Sequence, residues 1–416
     1  MEEKKIRVAI TQGDSNGTGY EQILKAFEDP AMLELCTPII YGSPKIAAYH
    51  RKALELETNF TIIAQPSEAR DGKLNMLACF DEEIKVDLGV PMPEAEEAAR
   101  KSVDQALADY ADGAFDVLVT APAKANSAIN KDLKALTVRM ANDLRVALVT
   151  NNLALRDVAD AITKPILVEK ASIFHQFLKR DMRISSPRIA ILALNPHTSE
   201  DSRGPEEQEI ILPAIEELEQ KGVQAFGPYP ADDFFGSGAY TKFDGILAMY
   251  YDQGMAPYKS ITNEEGIVVT AGLDIIHTAP AQSEAHVNAG KGIVSADSMR
   301  HAIYTAIDIF RNRQDYDAPL GNPLPKLYHE KRDDSEKVRF SVPKTKDTGR
   351  KEERQRNSEE KPRNSEEKPR SNEEKPRSNE EKPRNSEEKL RSNEEKPRNS
   401  EEKPRSNEES QHGGEE

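Results

Sequence analysis

Ile6-Arg7-Val8-Ala9-Ile10-Thr11 is a largely apolar run of strand length, and Gln12-Gly13-Asp14-Ser15-Asn16-Gly17-Thr18-Gly19-Tyr20-Glu21 follows it at once. A short apolar run bounded by Gly, Asp and Asn reads as a buried strand. Three glycines in the turn let the backbone bend tightly or approach a ligand. Their spacing is not the Gly-x-Gly-x-x-Gly dinucleotide fingerprint, so the segment reads as a tight strand-to-helix turn, with a phosphate cradle as the alternative.

The same unit recurs outward from this stretch. Pro38–Tyr41, Phe60–Ala64, Asp116–Thr120, Leu144–Thr150, Arg188–Leu194 and Gly245–Tyr250 are further apolar runs of strand length. Between them, Glu94–Tyr110, Lys164–Arg180, Glu206–Lys221 and Ala296–Arg311 read as helices. Ala99, Val103, Leu107 and Tyr110 fall on one helical face at spacings of three and four. Pro205 ahead of Glu206 and Glu207 is a favourable helix start, because proline fits the first turn and carboxylates complement the dipole. Strands alternating with helices predict an α/β architecture with a largely parallel sheet. Ligands in such sheets gather beyond the carboxyl ends of strands.

Composition separates this body from a tail. From Lys351 onward, Arg-Asn-Ser-Glu-Glu-Lys-Pro, or the same unit with Ser and Asn exchanged, repeats with a period of seven. Lys351–Glu416 holds 17 basic and 20 acidic residues, one large aliphatic residue (Leu390) and no aromatics. A coiled coil needs two apolar positions per heptad, which this unit lacks. Pro362, Pro369, Pro376, Pro383, Pro397 and Pro404 would also interrupt a helix. The repeat therefore reads as a disordered spacer at 351–416, reached through a polar linker at 331–350; its partner, if it has one, is unknown. The first 350 residues carry 40 basic and 53 acidic residues and all the Phe and Tyr, enough for a sizeable core.

Several classes are excluded by these properties. Runs such as Ile189–Leu194 and Ile246–Met249 are too short to span a bilayer. Met1–Lys5 is charged and precedes only a strand-length apolar run, so no secretory signal is expected. Cys36 and Cys79 make neither a disulfide framework nor a metal-ligand spacing, which suits a cytoplasmic location. An acidic body argues against nucleic acid as the partner.

Loops after four strands carry polar groups: the glycine turn, Thr120-Ala121-Pro122-Ala123-Lys124, Leu194-Asn195-Pro196-His197, and Tyr250-Tyr251-Asp252-Gln253-Gly254. In that order they resemble the 4-hydroxythreonine-4-phosphate dehydrogenase family of pyridoxal phosphate biosynthesis. Leu144–Thr150 with Leu155-Arg156-Asp157, Gly227-Pro228 with Pro230-Ala231-Asp232, and Ala289–Gly292 match in order as well, and the resemblance covers Ile6–Tyr328. It implies a two-lobed α/β subunit with largely parallel sheets, resembling isocitrate and isopropylmalate dehydrogenases. One lobe would take about 1–140 plus 295–330 and the other about 141–294. The resemblance further implies a homodimer, NAD, a divalent metal (Zn or Mg), and oxidation then decarboxylation of a small phosphorylated substrate.

Oxidising a secondary alcohol requires stabilising an alkoxide, a role suited to a metal held by imidazoles with an open coordination position. The substrate's anionic groups call for Lys, Arg, His or backbone amides. Residue by residue, the family's three metal histidines fall on Asn152, His197 and Tyr251, so only His197 remains as a ligand. The family's Gly-His-Thr-Glu substrate loop is missing between Lys124 and Leu144. Its substrate asparagine becomes Val268, its arginine becomes His277, and its Asp-His-Gly-Thr run becomes Ala281-Gln282-Ser283-Glu284. Asp252, matching an acid beside the metal, and Lys259, matching a phosphate-binding lysine, survive as the catalytic and substrate-binding residues. The expectation is a member with lost or severely impaired dehydrogenase activity. An active dehydrogenase on a related phosphorylated hydroxy acid and a non-catalytic binding or dimer-partner protein are the alternatives. A site rebuilt from His197, His277 and His286 is a further one.

Overall fold

The computed structural model describes residues 5–321 apart from 81–83, 125, 127–128, 130–134, 198, 200, 202, 263–265 and 282–285. The linker and repeat tail, most of the shortened stretch after Lys124, and Gln282–Glu284 lie outside the described residues. Within them, twelve strands form one sheet. The first five are β1 (Arg7–Thr11), β2 (Thr37–Gly42), β3 (Thr61–Ile63), β4 (Asn75–Ala78) and β5 (Val117–Thr120). The next are β6 (Leu136–Ala141), β7 (Leu144–Leu148), β8 (Arg188–Leu192) and β9 (Gln224–Tyr229). The last are β10 (Gly245–Ala248), β11 (Ile267–Ala271) and β12 (His277–Pro280).

The strand order is β3-β4-β2-β1-β5-β12-β11-β6-β7-β10-β8-β9. Pairing is parallel from β3 through β12 and again from β7 through β9. The β12–β11, β11–β6 and β6–β7 pairs are antiparallel. Three reversals make the second parallel block run opposite to the first, so their carboxyl-end loops leave opposite edges of the sheet. The largely parallel α/β fold is therefore as the sequence indicates.

Side-chain alternation along the strands lets both faces be covered. In β1, Val8 and Ile10 join the larger core, while Ala9 faces a second core with Ile39, Tyr41, Val103 and Ala106. A third core, with Val146, Leu148, Ala190, Ile246 and Met255, covers one face of the second block. The helices are α1 (Gly19–Ala26), α2 (Met32–Leu35), α3 (Pro44–Ala53), α4 (Pro93–Ala111) and α5 (Val158–Ala161). They continue with α6 (Lys164–Gln176), α7 (Leu212–Gln220), α8 (Ala231–Gly236), α9 (Tyr251–Thr262) and α10 (Asp297–Gly321). Helix α4 buries Ala95, Ala98, Ala99, Ser102, Val103 and Ala106, and the Ser102 hydroxyl donates to the Tyr41 carbonyl at 2.6 Å.

Two anticipated helices contain π turns. The Lys164–Arg180 helix ends as α6 and passes into a π turn at Phe177–Asp181. The Glu206–Lys221 helix opens into a π turn at Glu207–Ile211 before α7. Pro213 explains the second: it has no N–H to donate and crowds the carbonyl four residues back, so the preceding turn widens. Arg313 of α10 locks the first, donating to both Asp181 carboxylate oxygens at 2.8 and 2.9 Å. Cys36 and Cys79 are free thiols. Among the described residues no helix is long and apolar enough to cross a membrane.

Candidate active site

In the second block, β7, β10 and β8 are parallel neighbours, so their carboxyl-end loops emerge side by side. Asn152 follows β7, His197 follows β8, and Tyr251 opens α9 after β10. The fold thus carries the three positions matched to metal ligands at one edge of one block. Asn152, His197 and Asp252 are exposed, and Tyr251 is 37% exposed. Asp252 and the exposed Lys259 lie seven residues apart on α9, close to two full turns and hence on similar faces.

The backbone beneath these side chains is firmly held. Thr150 donates from Oγ1 to the Met249 carbonyl at 2.7 Å, tying the ends of β7 and β10. Gln253 accepts from the Met249 amide at 2.8 Å and donates to the Ala193 carbonyl at 2.6 Å, tying β10 to β8. Glu207 is fully buried and accepts from the Leu194 and Asn195 amides at 2.9 and 2.8 Å, with Asn195 Nδ2 also donating at 2.9 Å. The carboxylate placed by sequence reasoning in a helix's first turn therefore also supports the His197 loop. Gln253 and Glu207 carry no sequence signal for these jobs, because partners 12 to 60 residues away are set by the sheet order. At Gly254, a Cβ would come within 2.8 Å of the Leu148 side chain, so the missing side chain lets α9 press onto β7.

These donors do not suit a catalytic divalent ion. One imidazole is accompanied by an amide and a phenol, where imidazole, thiolate or carboxylate donors are the usual ligands. Zinc catalysis uses three good protein ligands and an open position. Among the described residues no group of three His, Cys, Asp or Glu could hold a metal. Within one chain His197, His277 and His286 form no such group.

His277 lies in β12, 3% exposed, between Thr120 of β5 and Thr270 of β11. Its Nε2 and Nδ1 are 2.9 and 2.8 Å from the two threonine hydroxyls. Burial lowers its pKa to about 4, so the ring is neutral at physiological pH. One nitrogen donates and the other accepts, which leaves neither for a ligand. The position matched to the family's arginine is a core bridge here, and the expected substrate contact has no free atom to make it.

In the first block, the turn after β1 is closed on itself. Gln12 Oε1 accepts from the Tyr20 hydroxyl at 2.6 Å and the Ser43 amide at 3.1 Å, while its Nε2 donates to Ser15 Oγ at 3.1 Å. Asn16 exchanges hydrogen bonds with Asp87 and Val90 at 2.9 Å, and His50 Nε2 donates to the Ser15 carbonyl at 2.8 Å. Gly13 has φ +73°, and a Cβ there would sit 2.8 Å from the Pro122 carbonyl oxygen. A Cβ on Gly19 would collide with the Gln12 carbonyl. Gly13 and Gly19 therefore serve close packing.

A mostly parallel sheet with helices on both faces and polar loops at strand carboxyl ends defines an α/β protein of the ligand-binding kind. The chain belongs to the pyridoxal phosphate biosynthetic protein PdxA family, whose profile matches residues 34–135 and 129–306. It is 52% identical over 360 residues to a 4-hydroxythreonine-4-phosphate dehydrogenase of Bacteroides thetaiotaomicron, covering 82% of this chain and 99% of the relative. A relative of the same name from Neisseria meningitidis serogroup B is 35% identical, with 73% and 97% covered. Among solved structures, the 4-hydroxythreonine-4-phosphate dehydrogenase of Klebsiella pneumoniae superposes with a TM-score of 0.63 at 26% identity, covering 74% of this chain and 99% of that one. The Burkholderia phymatum enzyme gives a TM-score of 0.60 at 26% identity, with 74% and 99% covered.

Proposed function

We propose that this chain is a PdxA-family protein of pyridoxal phosphate biosynthesis whose NAD-dependent 4-hydroxythreonine-4-phosphate dehydrogenase activity is lost or severely impaired. The observation that carries this reading is the donor set at the β7–β10–β8 edge, where the three loops carry Asn152, Tyr251 and a single imidazole, His197. Asp252 and Lys259 are the surviving site residues in this reading. Family membership supports NAD as coenzyme, a homodimer and a cytoplasmic location as parts of this reading. Without an ion to stabilise the alkoxide, and with an amide and a phenol where charge-assisted contacts are needed, each lost contact costs about 1.5–3 kcal/mol. Several such losses remove many decades of rate.

The test combines elemental analysis with a NAD-reduction assay on 4-phosphohydroxy-L-threonine. No stoichiometric zinc and no NADH are expected. The double variant Asn152→His, Tyr251→His should gain zinc but not turnover, because the family's substrate loop is still missing. Stoichiometric zinc in the unaltered chain, or turnover of about one per second, within the ordinary enzyme range, overturns the reading.

A further inference from the structure

The turn after β1 holds the only Asn-Gly pair in the sequence, Asn16-Gly17. Such a pair is chemically labile. The Gly17 nitrogen can attack the side-chain carbonyl carbon of Asn16, forming a new C–N bond. The bond from that carbon to the side-chain nitrogen breaks, and the NH2 group leaves as ammonia with the proton that the Gly17 nitrogen gives up. Water then opens the cyclic imide at either carbonyl, which yields aspartate or isoaspartate. Glycine in second place favours the attack, because no Cβ restricts the backbone that must rotate.

The fold restrains each atom this reaction needs. Asn16 is fully buried. Its Oδ1 accepts from the Asp87 amide and its Nδ2 donates to the Val90 carbonyl, both at 2.9 Å. The nucleophile is engaged as well: the Gly17 N–H donates to the Asp14 carbonyl at 3.1 Å. The Asn16 amide donates to Asp14 Oδ1 at 2.8 Å, which fixes the backbone between the two reacting groups. To bring its carbonyl carbon onto the Gly17 nitrogen, the Asn16 side chain must first leave Asp87 and Val90.

We propose that Asn16-Gly17 is a latent modification site, unreactive while the turn is closed and deamidated when it opens, and that the product keeps the turn from closing fully. Aspartate at position 16 has no N–H for the Val90 carbonyl and sets a second carboxylate two residues from Asp14. Isoaspartate also adds a carbon to the backbone of the turn. Either product frees the 87–90 stretch, in which Leu88 packs against Gly290 and Gly89 lies against the His286 carbonyl. The loosening therefore reaches the segment that follows β12. An irreversible step coupled to local opening accumulates a record of how often the turn opens. The site is independent of the lost-activity reading, since no residue of the β7–β10–β8 edge takes part.

The test incubates the full chain in mildly alkaline buffer, folded and in urea, and follows the peptide bearing residues 16 and 17 by mass spectrometry for exchange of NH2 for OH. Deamidation is expected to be at least about tenfold slower in the folded chain than in urea, a retardation set by the opening equilibrium. Gly17→Ala, compared in urea where folding plays no part, should slow the reaction and so tie the product to attack by this nitrogen. In deamidated protein purified from the folded incubation, the Asp87 and Gly89 amides should exchange hydrogen faster than in the unmodified chain. The proposal is overturned by equal rates in the folded and unfolded chains, by a Gly17→Ala rate no lower than wild type, or by unchanged exchange at Asp87 and Gly89 after deamidation.

Discussion

The two loop edges of the sheet are built on opposite terms. Where β1 ends, the polar side chains of Gln12–Thr18 are buried and hydrogen-bonded, and Gly13 and Gly19 are pressed against neighbouring carbonyls. Where β7, β8 and β10 end, the backbone is tied down by Thr150, Gln253 and Glu207, but Asn152, His197, Tyr251 and Asp252 project into solvent. An edge whose outward side chains support nothing can exchange them without unfolding the protein. In the proposed reading, this open edge is where Asn152 and Tyr251 stand in place of imidazoles while the PdxA fold is kept.

The largest expected effect comes from breaking the closed edge. Gly19→Ala forces a Cβ onto the Gln12 carbonyl, backbone that cannot swing aside, so a loss of about 3 kcal/mol or more is expected in urea unfolding. Wild-type stability would mean that the turn is looser than its packing indicates.

Acid should act on the same half of the sheet through His277. Its pKa falls from 6.5 in the unfolded chain to about 4 in the fold because burial disfavours the imidazolium. Above pH 6.5 the ring is neutral in both states, and its full contribution is present. As pH drops from 6.5 toward 4, only the unfolded chain takes the proton, and stability declines by up to roughly 3 kcal/mol before levelling off. His50 is shifted in the same direction by burial, so the comparison is between wild type and His277→Gln, whose pH slope should be visibly shallower. Identical slopes would remove His277 from the account.

At the open edge the dividing line runs between support and display. Glu207→Gln keeps the size of the side chain but weakens its grip on Leu194 and Asn195, and about 1–3 kcal/mol is expected by thermal or urea melting. Asn152→Ala and Tyr251→Phe should each stay within about 0.5 kcal/mol of wild type, as exposed positions do. A large loss at either would show that the open edge is structural after all.

Much of this organisation could be read along the chain. Each of the seven anticipated strands coincides with one in the sheet, and each of the four anticipated helices is present, two of them with π turns. What escaped reading has a physical pattern. Strand β6, Leu136-Thr137-Val138-Arg139-Met140-Ala141, alternates buried and half-buried residues, and it is placed by antiparallel pairing with β11 and β7, while β12, the short His277-Thr278-Ala279-Pro280, is placed between β11 and β5. Helix α9 contains Gly254 and Pro257, weak helix formers on their own, and is held by packing on β7 and β10.

By itself, the sequence determined the α/β class, the parallel strands and the family, because apolar periodicity and residue identity are local properties of the chain. Only the tertiary structure decided that His277 is a core bridge, that Glu207 supports the His197 loop, and that Asp14 meets His286 across 272 residues. Burial and hydrogen-bond partnership depend on which strands become neighbours, and three antiparallel pairings in mid-sheet set that order.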